Sequence, residues 1–229
     1  MIDLAKGLPG YIYLFLVAST SIVVGIEWDI AWHETIGRDT FWSPPHMVVY
    51  LGGIICGSTC AYMALQQTFV NTNLYNRYVR FWGFKAPFAC WVCIWGAIAM
   101  LTSAPFDDWW HNAYGLDVQI ISPPHLVLAA GFFAILLGTL LLLIAEKNLA
   151  NDKKKGFLEF LFMYSASLIV VQFSILLTEY SFANKQHTYE FYLFSLTMYS
   201  FLIIAFRTAA EHKYAATIIA TLFILHRLL

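Results

Sequence analysis

The sequence predicts an all-α protein, a polytopic transmembrane helix bundle of six to seven spans that forms a single integral membrane domain over residues 1–229. Three observations lead to this fold class. Hydrophobic residues make up 60% of the chain and charged residues only 12%, whereas about a quarter of the residues in a soluble domain are charged. Apolar runs long enough to cross a hydrocarbon core of about 30 Å recur along the chain. Short polar stretches separate these runs.

The first four spans have recognisable start signals. Pro9-Gly10 precedes the first apolar run. Ser43-Pro44-Pro45 opens the second span, because serine can cap the free N–H groups of a helix and proline at the first helical positions has no N–H to leave unpaired. Pro105 predicts a kink near the end of the third span, and Pro123 opens the fourth. We predict these spans at residues 11–33, 44–66, 86–111 and 123–146, with a polar connection at 68–85.

The C-terminal part of the chain predicts two further spans and one shorter segment. A lysine-rich turn is expected at residues 148–156, and spans follow at 157–178 and 189–206. The last apolar segment, residues 214–225, is shorter than the roughly 20 residues that a span needs. It is expected either to lie in the membrane interface or to pack as a shortened span.

The distribution of Lys and Arg predicts the orientation. Ten of these residues lie at the N-terminus and in the connections after spans two, four and six, whereas three lie on the opposite side. Because cytoplasmic loops carry an excess of Lys and Arg, the N-terminus is expected in the cytoplasm. The loops after spans one and three would then face the periplasm or the cell exterior. The formal net charge of -1 excludes the basic face that a nucleic-acid partner would need.

The four cysteines, Cys56, Cys60, Cys90 and Cys93, all fall inside apolar runs, where a disulfide framework would be unusual. Cys90-x-x-Cys93 has the spacing of a redox or metal-binding pair. Because this pair lies in the middle of a hydrophobic helix, we interpret it as small-residue packing.

The two outward-facing loops carry the same pattern, which indicates a duplication of two helix hairpins at approximately residues 11–67 and 86–146. The Ser-Pro-Pro-His of residues 43–46 recurs at residues 122–125, one loop residue later than the rest of the pattern. The five other shared positions, each 78 residues apart, are Asp29/Asp107, Trp32/Trp110, His33/His111, Gly37/Gly115 and Asp39/Asp117.

Each copy predicts a metal site built from one aspartate and two histidines. The aspartate and the first histidine stand four residues apart, so they share one face of a continuing helix. The second histidine opens the next helix, and the short loop would bring it beside the pair. One carboxylate and two imidazoles suit zinc, copper or iron and leave coordination positions open. The alternative role for these residues is helix capping and hydrogen bonding at the membrane interface. The predicted metal ligands are Asp29, His33, His46, Asp107, His111 and His125.

Three further acidic residues are expected to support these ligands. Asp39 and Asp117 lie in the loops and could orient the ring nitrogens of the histidines. Glu27 lies deeper in the first span, where it could assist the site or pair with Arg38. No catalytic residue can be assigned from the sequence.

Asp29-x3-His33-x12-His46 resembles the Asp-x3-His-x12-His motif in the C subunit of the copper membrane monooxygenases, the particulate methane and ammonia monooxygenase family. In that family the aspartate and both histidines bind metal, so the resemblance implies this role for the three residues and makes copper the expected metal. Residues 76–83 also look like a segment of the A subunit of that family. In the second copy His111-x13-His125 is one residue longer, and its ligand role is predicted from the repeat.

These observations predict an integral membrane metal-binding protein with copper at Asp/His sites on the outer membrane face, acting as a redox or oxygenase-type enzyme or as a subunit of one. The alternatives are a non-catalytic metal-handling protein or structural subunit of a membrane complex, and a haem-binding membrane protein with His46 and His125 as axial ligands. Zinc and iron are alternative metals. The expected partners are the lipid bilayer and either other membrane subunits or further copies of the chain.

Overall fold

The computed structural model describes residues 8–37, 40–71, 75, 77–115, 122–178 and 187–228. Over these ranges the protein is a helix bundle, which confirms the predicted fold class. Six of the described helices are long and apolar enough to cross a membrane. The helices are α1 (Gly10–Thr35), α2 (Pro44–Leu65), α3 (Phe88–Tyr114), α4 (Pro123–Leu149), α5 (Asp152–Thr178), α6 (Tyr189–Ala209) and α7 (Ala215–Arg227).

Helix boundaries differ most from the prediction at α5. The predicted turn at residues 148–156 is wrong for residues 152–156, which belong to α5 because that helix begins at Asp152. Asn151 stabilises this earlier start, because its Oδ1 accepts a hydrogen bond of 3.3 Å from the backbone N–H of Lys154. The last helix, α7, has 13 residues and is about 20 Å long, which is less than the thickness of the hydrocarbon core.

The connection between α2 and α3 contains regular structure that the sequence analysis did not predict. Two short strands pair antiparallel, and Trp82-Gly83 forms the turn between them. Both turn residues have positive φ values, 47° and 87°, as tight two-residue hairpin turns require. Trp91 Nε1 donates a hydrogen bond of 3.0 Å to the carbonyl of Val79, which ties the hairpin to α3. The elements are a π-helical turn at Gln66–Val70, β1 (Val79–Phe81) and β2 (Phe84–Ala86).

The described chain forms two compact units, one over Leu8–Leu142 and one from Leu143 onward. In the first unit, helix backbones approach closely at glycines. A Cβ atom at Gly52 of α2 would lie 2.7 Å from the carbonyl oxygen of Ala18 in α1. A Cβ atom at Gly96 of α3 would lie 2.6 Å from the carbonyl oxygen of Gly131 in α4. Small residues allow such close packing of membrane helices. The single domain over residues 1–229 stays a prediction.

The buried interior of the first unit is apolar apart from a few hydroxyl and thiol groups and the side-chain amide of Gln67. Ser19 of α1 and Thr139 of α4 are both buried, and their hydroxyls share a hydrogen bond of 2.9 Å. All four cysteines are fully buried in this core. The members that define it include Phe15, Ile22, Cys56, Cys60, Cys90, Cys93, Met100 and Ile135.

In the second unit, α5 is the buried helix and α6 is the exposed one. In the most apolar stretch of α5, 83% of the residues are buried, whereas in the corresponding stretch of α6 only 11% are. The exposed surface of α6 is apolar and aromatic, as expected for a helix that contacts lipid or another membrane protein. Its exposed side chains include Tyr192, Leu193, Phe194, Leu196, Phe201 and Ile204.

The second unit also contains a buried ion pair. Lys147 Nζ lies 2.8 Å from Glu159 Oε2, and the two side chains are 3% and 8% exposed. The ammonium group also donates to the carbonyl of Ala209 at 3.1 Å. Glu159 Oε1 accepts hydrogen bonds from the backbone N–H groups of Glu211 and His212 at 2.7 and 3.1 Å. The pair therefore joins the end of α4, α5 and the connection between α6 and α7.

We expect Glu159→Gln to lower the free energy of unfolding by about 3–5 kcal/mol, because it leaves the buried ammonium of Lys147 without a counter-charge. The double variant Lys147→Met/Glu159→Gln keeps an acceptor for the two backbone N–H groups and removes both charges, so it should recover most of the loss. Denaturant or thermal unfolding in detergent measures both effects.

The matched control is the exposed ion pair between Lys155 and Glu211, 2.8 Å apart with side chains 39% and 54% exposed. Glu211→Gln should lower the free energy of unfolding far less than Glu159→Gln does, since solvent screens an exposed pair. Equal losses for Glu159→Gln and Glu211→Gln would contradict a stabilising role for the buried pair.

Candidate metal centre

Close packing of α1 on α2 brings the first aspartate and its histidines together. A Cβ atom at Gly25 would lie 2.7 Å from Val49 Cγ2 and 2.9 Å from Val49 N, so the helices touch one turn before Asp29. After α1 ends, Gly37 adopts a φ of 94°, in the left-handed region that glycine enters without steric cost. The chain then returns to α2, whose first turn carries His46.

In the first copy, Asp29 lies between the two histidines. Its Oδ2 is 3.8 Å from His33 Nε2, one turn further along α1. Its Oδ1 is 3.2 Å from His46 Nε2, on α2. The spacing of four residues in α1 and the short return to α2 therefore place both histidines of this copy near Asp29. The three residues are not among the described groups whose donor atoms all lie within 4.8 Å of one another.

The backbone fixes the tautomer of His46. Its Nδ1 lies 3.0 Å from the carbonyl oxygen of Thr40. Because a carbonyl oxygen only accepts hydrogen bonds, Nδ1 carries the proton, and in the neutral ring Nε2 presents a lone pair. His46 Nε2 lies 3.2 Å from Asp29 Oδ1, which is buried and accepts no hydrogen bond. Two electron-rich atoms this close repel each other unless a cation or a second ring proton lies between them.

The second copy repeats this geometry on α3 and α4. Asp107 Oδ2 lies 3.4 Å from His111 Nε2, and Oδ1 lies 3.3 Å from His125 Nε2. Donor atoms of the three residues all fall within 4.8 Å of one another. Asp107 Oδ1 and His111 Nδ1 are buried and have no hydrogen-bond partner. Ser122 Oγ accepts a hydrogen bond of 3.4 Å from the backbone N–H of His125 at the start of α4, whereas no such side-chain capping bond is present at Ser43 of α2.

Both groups are partly open to their surroundings. The side chains of Asp29 and Asp107 are 24% and 28% exposed, and His46 is 25% exposed. Open coordination positions at a bound ion would therefore be accessible to water or to a small substrate.

The three acidic residues predicted to support the metal ligands are only partly described by the structure. Asp39 and Asp117, expected to orient the histidine rings, lie outside the described residues. In the first copy the carbonyl oxygen of Thr40 occupies that orienting position at His46. Glu27 is half-buried on α1, two residues before Asp29, and its supporting role stays a prediction.

The structure also brings together a group that the sequence analysis interpreted as packing. Sγ atoms of Cys56, Cys60 and Cys93 all lie within 4.8 Å of one another, and such a group could hold a metal ion. The available signal was the spacing: Cys56 and Cys60 are four residues apart, and Cys90 and Cys93 are three apart. Each spacing places its pair on one helix face.

Among known proteins, no family model, no curated protein and no solved structure matches this chain. The resemblance to the copper membrane monooxygenases therefore stays a prediction drawn from the Asp-x3-His-x12-His motif. Function has to be inferred from the chemistry of this chain's own side chains.

We expect Gly25→Ala to destabilise the first hairpin by about 1–3 kcal/mol, because the added methyl group would overlap Val49 and force α1 away from α2. The same shift should separate Asp29 from His46. Thermal unfolding in detergent provides the measurement.

Gly10→Ala is the matched control, since a Cβ atom at Gly10, in the first turn of the same helix, meets no atom within 4 Å. Equal melting temperatures for the two variants would show that α1 does not depend on the close contact at Gly25.

Proposed function

We propose that the protein is an integral membrane copper-binding protein with one copper site in each Asp/His/His group at the outer membrane face, acting as a redox or oxygenase-type enzyme or a subunit of one. The observation that carries this proposal is the contact between a buried aspartate oxygen and a histidine Nε2 at 3.2 Å in one copy and 3.3 Å in the other. Neither oxygen accepts a hydrogen bond.

Donor spacing supports a shared metal ion. Bonds of about 2.1 Å that meet at about 90–109° hold two ligand atoms about 3.0–3.4 Å apart. Three of the four Asp–His separations, at 3.2, 3.3 and 3.4 Å, fall in this range. The fourth, between His33 and Asp29, is 3.8 Å, so His33 would have to move closer to complete the first site. Each aspartate contacts histidines of its own copy, which favours two mononuclear sites.

The residues at each proposed site have different roles. The carboxylate of Asp29 or Asp107 supplies the negative charge that holds a cation beside two neutral imidazoles. At His46, the carbonyl of Thr40 keeps the proton on Nδ1 and thereby leaves Nε2 available as a ligand. The partial exposure of the donors leaves room for water or substrate. A bound copper ion would supply the redox chemistry.

Copper is preferred over zinc and iron for two reasons. The donors themselves do not distinguish the metals, since imidazole and carboxylate suit all three. The motif formed by Asp29, His33 and His46 resembles the metal-binding motif of the copper membrane monooxygenases, and the excess of Lys and Arg at the other loops favours an outward-facing site. Haem ranks lower, because the Nε2 atoms of His46 and His125 both face a carboxylate.

A non-catalytic role in copper handling, or as a subunit of a larger membrane complex, is the second candidate. The exposed apolar surface of α6 favours it, since aromatic and aliphatic side chains there could contact a second membrane protein as well as lipid. Oxygen consumption by the purified copper-loaded protein in the presence of a small reduced substrate would support the enzyme. Full copper occupancy without oxygen consumption would support the handling or subunit role.

We expect the purified protein to hold about one copper ion per Asp/His/His group, in addition to any copper held by the buried cysteines, when metal content is measured by mass spectrometry after copper supplementation. Asp107→Asn should remove the second ion, because a neutral amide leaves the two imidazoles without the charge that retains the cation. Asp29→Asn should do the same in the first copy.

Asp108→Asn is the matched control, since Asp108 is the adjacent exposed carboxylate, and its Oδ2 accepts a hydrogen bond only from Asn112 in the described contacts. Its copper content should equal that of the wild type. The metal assignment fails if wild-type protein binds no copper, iron or zinc, or if Asp107→Asn and Asp108→Asn retain the same amount. A doubly protonated histidine would then explain the short contacts.

A further inference from the structure

We infer that the buried cysteines form a second metal site, specific for Cu(I), between α2 and α3 within the membrane. It involves none of the Asp/His ligands and does not depend on the proposed function. Cys56 and Cys60 lie on one face of α2, and Cys90 and Cys93 lie on one face of α3. These are all the cysteines of the chain, and each has 0% exposure.

Close helix packing brings the sulfur atoms together. A Cβ atom at Gly57 of α2 would lie 2.9 Å from Ala97 Cβ of α3, so the two helices touch next to the cysteines. A Cβ atom at Gly138 of α4 would overlap Cys93 Sγ. The absence of a side chain at Gly57 therefore allows α2 and α3 to approach each other, and its absence at Gly138 provides the space that Cys93 Sγ occupies.

The sulfur separations are compatible with one small ion. Metal–sulfur bonds of about 2.3 Å in a trigonal or tetrahedral site hold the sulfur atoms about 3.8–4.0 Å apart. Sγ atoms of Cys56, Cys60 and Cys93 lie within 4.8 Å of one another, so small side-chain rotations would close such a site. An iron–sulfur cluster would need more widely separated thiolates and a larger cavity than this packed core offers.

A fourth thiol and a thioether lie at the border of the group. Cys90 Sγ donates to Met63 Sδ at 3.7 Å, and both residues are buried. Cys93 Sγ donates to the carbonyl of Ile135 at the same distance. Thiolate and thioether ligands select soft cations, and copper in its monovalent state is the softest of the common biological metals.

Coordination number also favours Cu(I) in an apolar interior. When Cu(I) binds two thiols, two protons leave and the resulting bis-thiolate complex carries one negative charge. A structural Zn(II) ion takes four ligands, whereas the group of described cysteines whose Sγ atoms all lie within 4.8 Å of one another has three members. The ion enters as Cu(I), so no oxidant or reductant is required.

Cu(I) retention against a chelator of known affinity tests this inference. The full-length protein in detergent would be loaded anaerobically with Cu(I) and titrated with bicinchoninate, and copper X-ray absorption would identify the ligands. We expect copper–sulfur scattering near 2.2–2.3 Å, a range close to the metal–thiolate distance known for zinc. Cys56→Ala/Cys60→Ala should retain Cu(I) at least tenfold more weakly.

Two controls separate this site from the Asp/His groups and from misfolding. Asp107→Asn should leave the copper–sulfur signal unchanged, so failure of one site is distinguishable from failure of the other. Ser103→Ala alters a buried residue of α3 away from the cysteines and should bind Cu(I) like the wild type.

The wild-type spectrum does not depend on how well any variant folds. Scattering from nitrogen or oxygen alone, retention of Zn(II) in place of Cu(I), or unchanged Cu(I) retention in the cysteine double variant would each overturn the inference.

Discussion

Two helix backbones can press together only where at least one of them lacks a side chain, and the first unit depends on this constraint. Gly25 and Gly52 supply the contact points between α1 and α2, and Gly96 and Gly131 supply them between α3 and α4. In lipid no hydrophobic force pushes helices together, so close packing contributes much of the association energy. It also determines the distance between side chains at the helix ends, where each aspartate meets the histidine of the next helix.

The same packing places two kinds of metal donor on α2. His46 lies in the first turn, where its side chain is 25% exposed, and Cys56 lies about 15 Å further along the helix in the apolar core. Imidazole and carboxylate suit borderline cations at a wet surface, whereas thiols suit a soft monovalent cation in a dry interior. Under the two proposals, each donor type would bind its metal in the surroundings that suit it best.

Much of the helical architecture could be predicted from the sequence, because apolar length and helix-start residues are local signals. The Asp/His spacing was also readable, since residues four apart share a helix face. Thr40 could not be identified, because the direction of a loop carbonyl depends on backbone angles and not on side-chain type. The convergence of the cysteines could not be predicted for a related reason: each pair has a visible spacing, but whether the two pairs meet depends on the contact between Gly57 and Ala97. The tight turn at Trp82 could not be predicted either, because its positive φ is uncommon outside glycine.

The buried pair of Lys147 and Glu159 has a consequence for biogenesis. Its hydrogen bonds reach the carbonyl of Ala209 and the N–H groups of Glu211 and His212, which the ribosome synthesises about fifty residues after Glu159. Until that segment emerges, both charges lack these partners and need hydrated surroundings. The second unit can therefore close only after α6 has been made, and a nascent chain truncated before residue 209 would present an unsatisfied ion pair to membrane quality control.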